Sequence, residues 1–380
     1  MDQFKDIRPY QDDEIRPVLN ALLKNRDFIL SIARFYNPTL TRLLPFLVTH
    51  LATRRLKAQL KNVTSVATMQ DVIAIYMDKM IGDTTTGLTH SGLDKLDHGK
   101  SYLFISNHRD ITMDPAFVNY MLYHEDLETV QIAIGDNLLK EPFVTDLMRL
   151  NKSFIVRRSL KGRELLKALD LLSRYMHHCI EHNQNVWIAQ REGRAKDGVD
   201  ITDPALIKML ARGKKELPRG QSIANLHVVP IAISYEYDAC DKLKAEELYQ
   251  IKTTGKFEKT DQSDIHSIVT GMMGQKGHVH VAFGEELELD TDDPNEIASK
   301  IDAQILANYR LYDSNFLALE LLEKSGEVDI PPLAEDARKR NINDSTREEF
   351  ERRLANMDSG LHKYFLSMYA NPVISRYKKG

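Results

Sequence analysis

The chain lacks several features that would place it in other protein classes. Its two cysteines, Cys179 and Cys240, lie far apart in sequence, so we expect no disulfide framework and a reducing, cytoplasmic setting. No apolar run approaches the roughly 20 residues that a bilayer-spanning helix needs. The first residues are charged and polar, unlike a secretory signal. A net charge of −4 gives no reason to expect a nucleic-acid partner.

Acidic residues are missing from residues 28–70, although the chain as a whole is slightly acidic. The stretch is rich in apolar residues and contains basic ones: Arg34, Arg42, Arg54, Arg55, Lys57 and Lys61. A basic, amphipathic helical stretch is typical of a segment that lies on an anionic membrane. We therefore expect a peripheral protein on the inner face of the cytoplasmic membrane. The alternative is a helical hairpin that packs on the main domain and exposes its basic face to solvent.

The hydrophobic pattern divides the chain into three regions. Residues 1–85 are predicted to be helical and membrane-associated, residues 86–290 to alternate strands and helices, and residues 291–380 to form a helical extension. Alternating strands and helices, with nearly continuous apolar strands, predict an α/β fold. Its central sheet is expected to be mostly parallel and flanked by helices.

The predicted strands are 102–105, 130–134, 153–156, 186–189, 228–235 and 278–283. The predicted helices of the α/β region are 116–123, 137–150, 162–180 and 205–211. A single long amphipathic helix is predicted over 297–322.

One run, Ser106 to Pro115, places a histidine and a carboxylate directly after the first predicted strand of the α/β region. His108 is suited to be a general base, and Asp114 to hold its imidazole in one tautomer. The alternative for the same run is structural: Asp114 caps a helix whose first residue is Pro115, and His108 lies at the surface.

Three further groups of residues follow later predicted strands, where open α/β sheets bind ligands. Arg157 and Arg158 end one strand and are suited to hold a phosphate. Residues 190–194, Gln-Arg-Glu-Gly-Arg, form a loop with a flexible glycine and two cations. Pro230 lies inside an apolar strand and predicts an edge or a bend beside a site.

The order and spacing of these blocks resemble those of the glycerophospholipid acyltransferases, the family of 1-acyl-glycerol-3-phosphate and glycerol-3-phosphate acyltransferases, over about residues 86–290. That family carries a His-x4-Asp motif, a Phe-Ile-x-Arg strand end, a Glu-Gly-Thr-Arg loop and a strand with an internal proline. The similar positions here are His108 with Asp114, Phe154-Ile155 with Arg157, Glu192-Gly193 with Arg194, and Pro230. The segment 135–143 is similar to the family's lysine-containing helix. The chain departs from the pattern in having five residues between His108 and Asp114, and no threonine in the loop.

The resemblance implies an O-acyltransferase that moves a fatty acyl group from an acyl thioester to a hydroxyl group. The donor is acyl-CoA or acyl-acyl carrier protein, and the acceptor is a glycerol-phosphate-type molecule or a lysophospholipid. His108 would be the general base and Asp114 its orienting partner, with direct transfer and no metal or cofactor. Backbone N–H groups near Asn107 or Gly193 are candidates for the oxyanion site. The expected substrate-binding residues are Asn107, Lys140, Arg157, Arg158, Arg191, Glu192, Gly193 and Arg194.

Two other functions stay open at this point. An acyl-thioester hydrolase would use His108 to activate water, and a non-catalytic lipid or acyl-carrier binding protein would use the same groove without a base. The arginines favour a phosphorylated acceptor, and the His108–Asp114 pair favours an enzyme. His278 and His280 could share one face of a strand, but no nearby partner predicts a metal site there.

Overall fold

The structure, a computed structural model, describes residues 2–258, 260–338 and 341–378. It contains two compact units, each described by itself. The first unit comprises residues 1–78 and 130–175, and the second comprises residues 79–129 and 176–380. The division into three regions along the chain stays a prediction.

The first unit contains a helical N-terminal part and a pair of strands. Strands β3, Gln131–Gly135, and β4, Ser153–Val156, pair in parallel. The helices are α1 (Asp12–Leu22), α2 (Arg26–Tyr36), α3 (Pro38–Leu43), α4 (Pro45–Gln59) and α7 (Pro142–Leu150). Helices α5, Val66–Thr84, and α8, Gly162–Glu181, each contain a boundary between the units.

Two prolines begin helices, as their fixed φ and missing N–H favour: α3 starts at Pro38 and α4 at Pro45. A buried apolar cluster that includes Ile15, Leu19 and Phe28 joins the N-terminal helices to Leu150 of α7. Helix α4 differs, because it has no fully buried residue. Its apolar side chains therefore face solvent to a large extent.

The second unit contains five paired strands in the order β1-β7-β6-β2-β5. Their bounds are β1 Gly87–Ser91, β2 Leu103–Ser106, β5 Val186–Ala189, β6 Val228–Tyr235 and β7 His278–Phe283. Strand β2 pairs in parallel with both β5 and β6, and β1 pairs in parallel with β7, whereas β6 and β7 are antiparallel. The predicted α/β class with a mostly parallel sheet is confirmed.

The helices of the second unit lie between these strands and after them. In chain order they are α6 (Met113–His124), α9 (Pro204–Leu210), α10 (Arg219–Ala224), α11 (Asp241–Thr254), α12 (Asp261–Met273), α13 (Pro294–Asn308), α14 (Asp313–Ser325), α15 (Asp344–Ala355) and α16 (His362–Tyr377). An apolar cluster around Phe350, Phe365 and Leu317 packs the C-terminal helices together.

Two predicted helices are wrong in their extent. The predicted helix 297–322 is two helices, because the chain turns to an extended conformation at Tyr309 and the Arg310 N–H donates to Ser234 Oγ at 2.8 Å. The predicted helix 137–150 begins only at Pro142, since the preceding Glu141 is extended, as a residue before proline prefers. A short 3-10 turn, Asp136–Leu138, comes before it.

Both cysteines are buried and free. None of the helices that the structure describes is both long enough and apolar enough to span a bilayer.

Candidate active site

His108 and Asp114 face each other directly after strand β2. The histidine lies in the turn that follows Ser106, and Asp114 lies in the first turn of α6. His108 Nδ1 is 2.8 Å from Asp114 Oδ2, and the Asp114 side chain is completely buried. Because an ionised carboxylate only accepts hydrogen bonds, Nδ1 donates in this contact, and in the neutral ring the lone pair is then on Nε2. The extra residue in the His-x5-Asp spacing is thus compatible with a bonded pair.

The turn between the two residues is closed by its own main chain. The Arg109 and Asp110 N–H groups donate to Asp114 Oδ2 at 2.6 and 3.0 Å. The Asp110 carboxylate in turn accepts the Thr112 and Met113 N–H groups, both at 2.9 Å. Burial, and then the nearby Asp114 carboxylate, raise the pKa of Asp110.

The structural reading of Asp114 as a helix cap is wrong. Helix α6 begins at Met113, one residue before Asp114, and the Met113 N–H at its start donates to Asp110 and not to Asp114. Asp114 instead points back into the turn and bonds His108.

Asn107 ties this turn to the neighbouring strand β6. Its side-chain amide donates to the Ile233 carbonyl at 3.0 Å and accepts the Ile233 N–H at 2.8 Å. It also donates to Asp200 Oδ2 at 3.3 Å. Because the residue is completely buried and its amide is engaged at both ends, Asn107 holds the turn, and its part in substrate binding stays a prediction.

Arg109 and Asp200 form a buried ion pair behind the histidine. Arg109 Nη2 is 2.6 Å from Asp200 Oδ2 and also donates to the Gly198 carbonyl at 3.2 Å. The guanidinium lies 5.4 Å from the centre of the Tyr309 ring. Burial raises the pKa of Asp200, and the charge of Arg109 opposes that rise. Asp200 is not predicted from the sequence, since it lies 91 residues from Arg109 along the chain.

Two further side chains that sequence reasoning missed support the same turn. The Tyr235 hydroxyl, at the end of β6, donates to Asp114 Oδ1 at 2.7 Å. The completely buried Lys244 of α11 donates to the Arg109 carbonyl at 2.7 Å and pairs with Asp238. Although burial opposes ionisation, Lys244 lowers the pKa of Asp238. No local motif marks these residues, because the fold alone brings them to the turn.

The Glu-Gly loop is joined to the histidine turn by its main chain. The Ala195 N–H donates to the His108 carbonyl at 2.8 Å. Arg194 Nη2 donates to Ser267 Oγ at 3.3 Å, whereas its Nη1 is buried and has no hydrogen-bond partner among the described residues. Gly193 has a φ of +76°, a conformation that glycine adopts without strain. The loop therefore lies beside His108 with a cationic nitrogen available.

Two other predicted residues of this loop have more exposed positions. Glu192 is exposed. Arg191 is half-buried, and its Nη2 is 4.0 Å from Asp197 Oδ1.

Lys140, Arg157 and Arg158 belong to the first unit, whereas the other predicted site residues belong to the second. All three side chains are exposed. Arg157 and Arg158 directly follow strand β4, as predicted, and the Arg158 N–H donates to Asp136 Oδ1 at 3.1 Å. Their part in substrate binding stays a prediction.

His278 and His280 are engaged in hydrogen bonds with neutral partners. The His280 ring lies 2.8 Å from Thr89 Oγ1 and 3.1 Å from Ser91 Oγ, and His278 Nδ1 is 3.1 Å from the Tyr312 hydroxyl. Burial lowers the pKa of His280 to about 4. In the part of the chain that the structure describes, no three His, Cys, Asp or Glu side chains are grouped as metal ligands would be.

Comparison with known proteins gives a consistent set of matches. Residues 87–234, which include the His108 turn and the Glu-Gly loop, match the model of the family described as Acyltransferase. A glycerol-3-phosphate acyltransferase of Xanthomonas axonopodis pv. citri is 26% identical over 285 residues, covering 73% of this chain and 27% of that protein. A glycerol-3-phosphate acyltransferase of Alteromonas mediterranea is 28% identical over 193 residues, covering 51% of this chain and 22% of that protein.

This chain thus spans about a quarter of the length of the curated relatives that it matches. Among solved structures, the 1-acyl-sn-glycerophosphate acyltransferase PlsC of Thermotoga maritima matches with a TM-score of 0.36 and 11% identity. That match covers 76% of this chain and 99% of the PlsC chain.

Proposed function

We propose that residues 87–234, which match the family model described as Acyltransferase, form a domain of the glycerophospholipid acyltransferase family, and that the protein is an O-acyltransferase with His108 as its general base. The observation that carries the proposal is the 2.8 Å contact between His108 Nδ1 and Asp114 Oδ2. This contact leaves Nε2 as the proton acceptor, and no described residue hydrogen-bonds to that nitrogen. The His108 side chain is 14% exposed, so a small hydroxyl can reach it while the ring stays fixed.

The reaction proceeds by direct transfer. The acceptor hydroxyl attacks the thioester carbonyl and gives its proton to His108 Nε2, and the imidazolium then protonates the leaving thiolate. Asp114 stabilises the positive charge on the ring during the step. Since the Arg109 and Asp110 amides already bond Asp114, the main chain of residues 191–194 is the better candidate for stabilising the oxyanion.

The acceptor in this proposal carries a phosphate. The names of the curated relatives favour glycerol 3-phosphate, and a lysophospholipid such as 1-acyl-glycerol 3-phosphate has the same phosphate chemistry. Arg194 is the first candidate to bind it, because its Nη1 is buried without a partner and the following Ala195 N–H bonds the His108 carbonyl. Arg191 of the same loop is a further candidate. Lys140, Arg157 and Arg158, which belong to the first unit, stay predicted substrate-binding residues. The donor is acyl-CoA or acyl-acyl carrier protein.

We also propose that helices α3 and α4 lie on an anionic membrane surface. Large apolar side chains of these helices are strongly exposed, among them Phe46 at 89% and Leu43 at 69%. The same helices carry three exposed arginines, Arg42, Arg54 and Arg55. Residues 28–70 contain no acidic residue that would offset their charge. Apolar groups that enter the headgroup layer and cations beside them suit a lipid surface rather than water. The protein is thus proposed to act as a peripheral membrane enzyme on the inner face of the cytoplasmic membrane.

The test of the proposed reaction measures thiol release from acyl-CoA and from acyl-acyl carrier protein, with product detection by mass. We expect thiol release to depend on added glycerol 3-phosphate or 1-acyl-glycerol 3-phosphate and an acylated product to form. His108→Gln, which keeps the size and polarity of the side chain but not its basicity, should lower kcat by at least ~10²-fold.

Two outcomes would contradict the proposal. Thiol release that is the same without an acceptor would indicate a hydrolase. Full transfer activity in His108→Gln would remove the histidine from the mechanism.

A further inference from the structure

Tyr235 lies at the carboxyl end of strand β6 and contacts Asp114, the partner of His108. Its hydroxyl donates to Asp114 Oδ1 at 2.7 Å. The residue is buried, and its ring packs against Phe117 of α6 with the ring centres 5.9 Å apart. Burial, and then the Asp114 carboxylate, raise the pKa of Tyr235 well above its ordinary value, so that the hydroxyl keeps its proton.

The hydrogen bonds of Asp114 are divided unequally between its two oxygens. Oδ2 receives His108 Nδ1 and the N–H groups of Arg109 and Asp110, all of them from the turn itself. Among the described residues, Oδ1 receives only the Tyr235 hydroxyl, which comes from 121 residues away. Since Asp114 is completely buried, removing Tyr235's hydroxyl would leave one oxygen of a carboxylate without a donor.

We propose that Tyr235 is a positioning residue that fixes the Asp114 carboxylate and, through it, sets the basicity of His108. This inference rests on the proposed function in taking His108 as the general base. A hydrogen bond to Oδ1 offsets part of the negative charge of the carboxylate. Asp114 therefore stabilises the protonated His108 ring less strongly when the bond is present. Without the donor, Asp114 stabilises the protonated ring more strongly, and the pKa of His108 rises.

Other charged groups surround the pair and stay unchanged when only the tyrosine hydroxyl is removed. Arg109 and Asp110 belong to the same turn. From the elements packed against the turn come the charged groups Arg194, Asp200, Asp238, Lys244 and Lys276, and the uncharged titratable groups Cys240 and Tyr309. A difference in the pKa of His108 between Tyr235→Phe and the parent protein is therefore due to the lost hydroxyl.

The experiment compares the intact protein with Tyr235→Phe, which keeps the ring and its packing on Phe117. The pKa of His108 is measured by NMR titration of the imidazole signals, with the His108 signals identified by their absence in His108→Gln. We expect the pKa to be higher by about half a unit to one unit in Tyr235→Phe. The acidic limb of the kcat/KM profile should shift by the same amount, so that activity at a fixed pH on that limb falls about three- to tenfold.

A matched control loses a different buried tyrosine hydroxyl of the same unit. Tyr102 accepts the Asp97 N–H at 2.9 Å and has no bond to Asp114, so Tyr102→Phe should leave the pKa of His108 unchanged. An unchanged pKa in Tyr235→Phe, or an equal shift in both variants, would overturn the inference. The NMR titration needs no substrate, so a chain without transferase activity would count against the proposed function while the titration still decides the role of Tyr235.

Discussion

Arg194 combines a buried, unpartnered guanidinium nitrogen with a position beside the histidine turn. A phosphate oxygen is the natural partner for such a nitrogen, because a charged hydrogen bond is stronger than a neutral one. We therefore expect Arg194→Gln to raise KM for the phosphorylated acceptor about 10- to 100-fold, corresponding to roughly 1.5–3 kcal/mol for a bond to a charged group. The KM for the acyl donor should change much less. Steady-state kinetics, with the concentration of each substrate varied in turn, measure the two KM values.

The control for this variant is Arg352→Gln. Arg352 is a largely exposed arginine of α15 that pairs with Glu349 on its own helix. The Arg352→Gln substitution should leave the KM values for the acceptor and for the donor unchanged. An acceptor KM that does not move in Arg194→Gln, while kcat falls, would assign the arginine to the reacting groups or to the fold instead of to phosphate binding.

The sequence predicts one part of the site and misses another for a definite physical reason. His108 and Asp114 are close in sequence and follow a strand, so their contact is a local property that a motif can express. Tyr235, Asp200 and Lys244 reach the same turn only because β6, a later loop and α11 fold next to it. Each of them lies far along the chain from the His108 turn, and none is itself a residue of the motifs. Such contacts depend on the three-dimensional arrangement of whole elements.

Helix α4 has no fully buried residue, and its exposed Phe46 is one basis of the proposed membrane contact. Transfer of an exposed leucine or phenylalanine out of water is worth about 1.5–3 kcal/mol. The double variant Phe46→Ser/Leu47→Ser should therefore weaken binding to mixed phosphatidylcholine–phosphatidylglycerol vesicles by at least about tenfold. Co-sedimentation at low salt measures the effect. Added salt should weaken binding of the parent protein, because its cations are screened.

The control removes two exposed apolar side chains elsewhere in the chain. Leu166 and Ile265 are 49% and 63% exposed, on α8 and α12. Leu166→Ser/Ile265→Ser should bind the vesicles like the parent. Equal loss in the two double variants would mean that general hydrophobicity, and not α4, causes the association. Absence of binding by the parent protein at low salt would end the membrane proposal.

The sequence predicts the bounds of a strand or helix well where the local hydrophobic pattern determines its ends. It predicts them poorly where contacts with distant residues determine them. The apolar strands β4 to β7 have their predicted bounds, because they are buried runs that end at polar residues. Strand β1 was missed, since Gly87–Ser91 is short, polar and largely exposed at the edge of its sheet. The break after α13 was also missed, because a hydrogen bond from Arg310 to Ser234 of a distant strand stabilises it.

The second unit includes both the sheet around the histidine turn and the C-terminal helices, and one close contact between them can be tested. Gly198 has a φ of +79°, and a Cβ there would lie 2.0 Å from the Met368 carbonyl oxygen of α16. The Gly198 carbonyl also accepts a hydrogen bond from Arg109. A side chain at this position must therefore displace either helix α16 or the loop that leads to Asp200.

Gly198→Ala should consequently lower both the stability of the second unit and the activity. A positive φ alone costs a non-glycine residue about 1–2 kcal/mol, and the clash with the Met368 main chain adds to it.

Gly255, with a φ of +80° and no atom within 4 Å of an added Cβ, is the control that carries only the backbone cost. Urea unfolding followed by the fluorescence of Trp187, the single tryptophan of the chain, reports on the unit that contains both glycines. We expect the urea midpoint of unfolding to fall further in Gly198→Ala than in Gly255→Ala. Only Gly198→Ala should lose activity, because only its strain reaches the Arg109–Asp200 pair. Equal effects of the two substitutions would mean that the packing of α16 against this loop does not support the histidine turn.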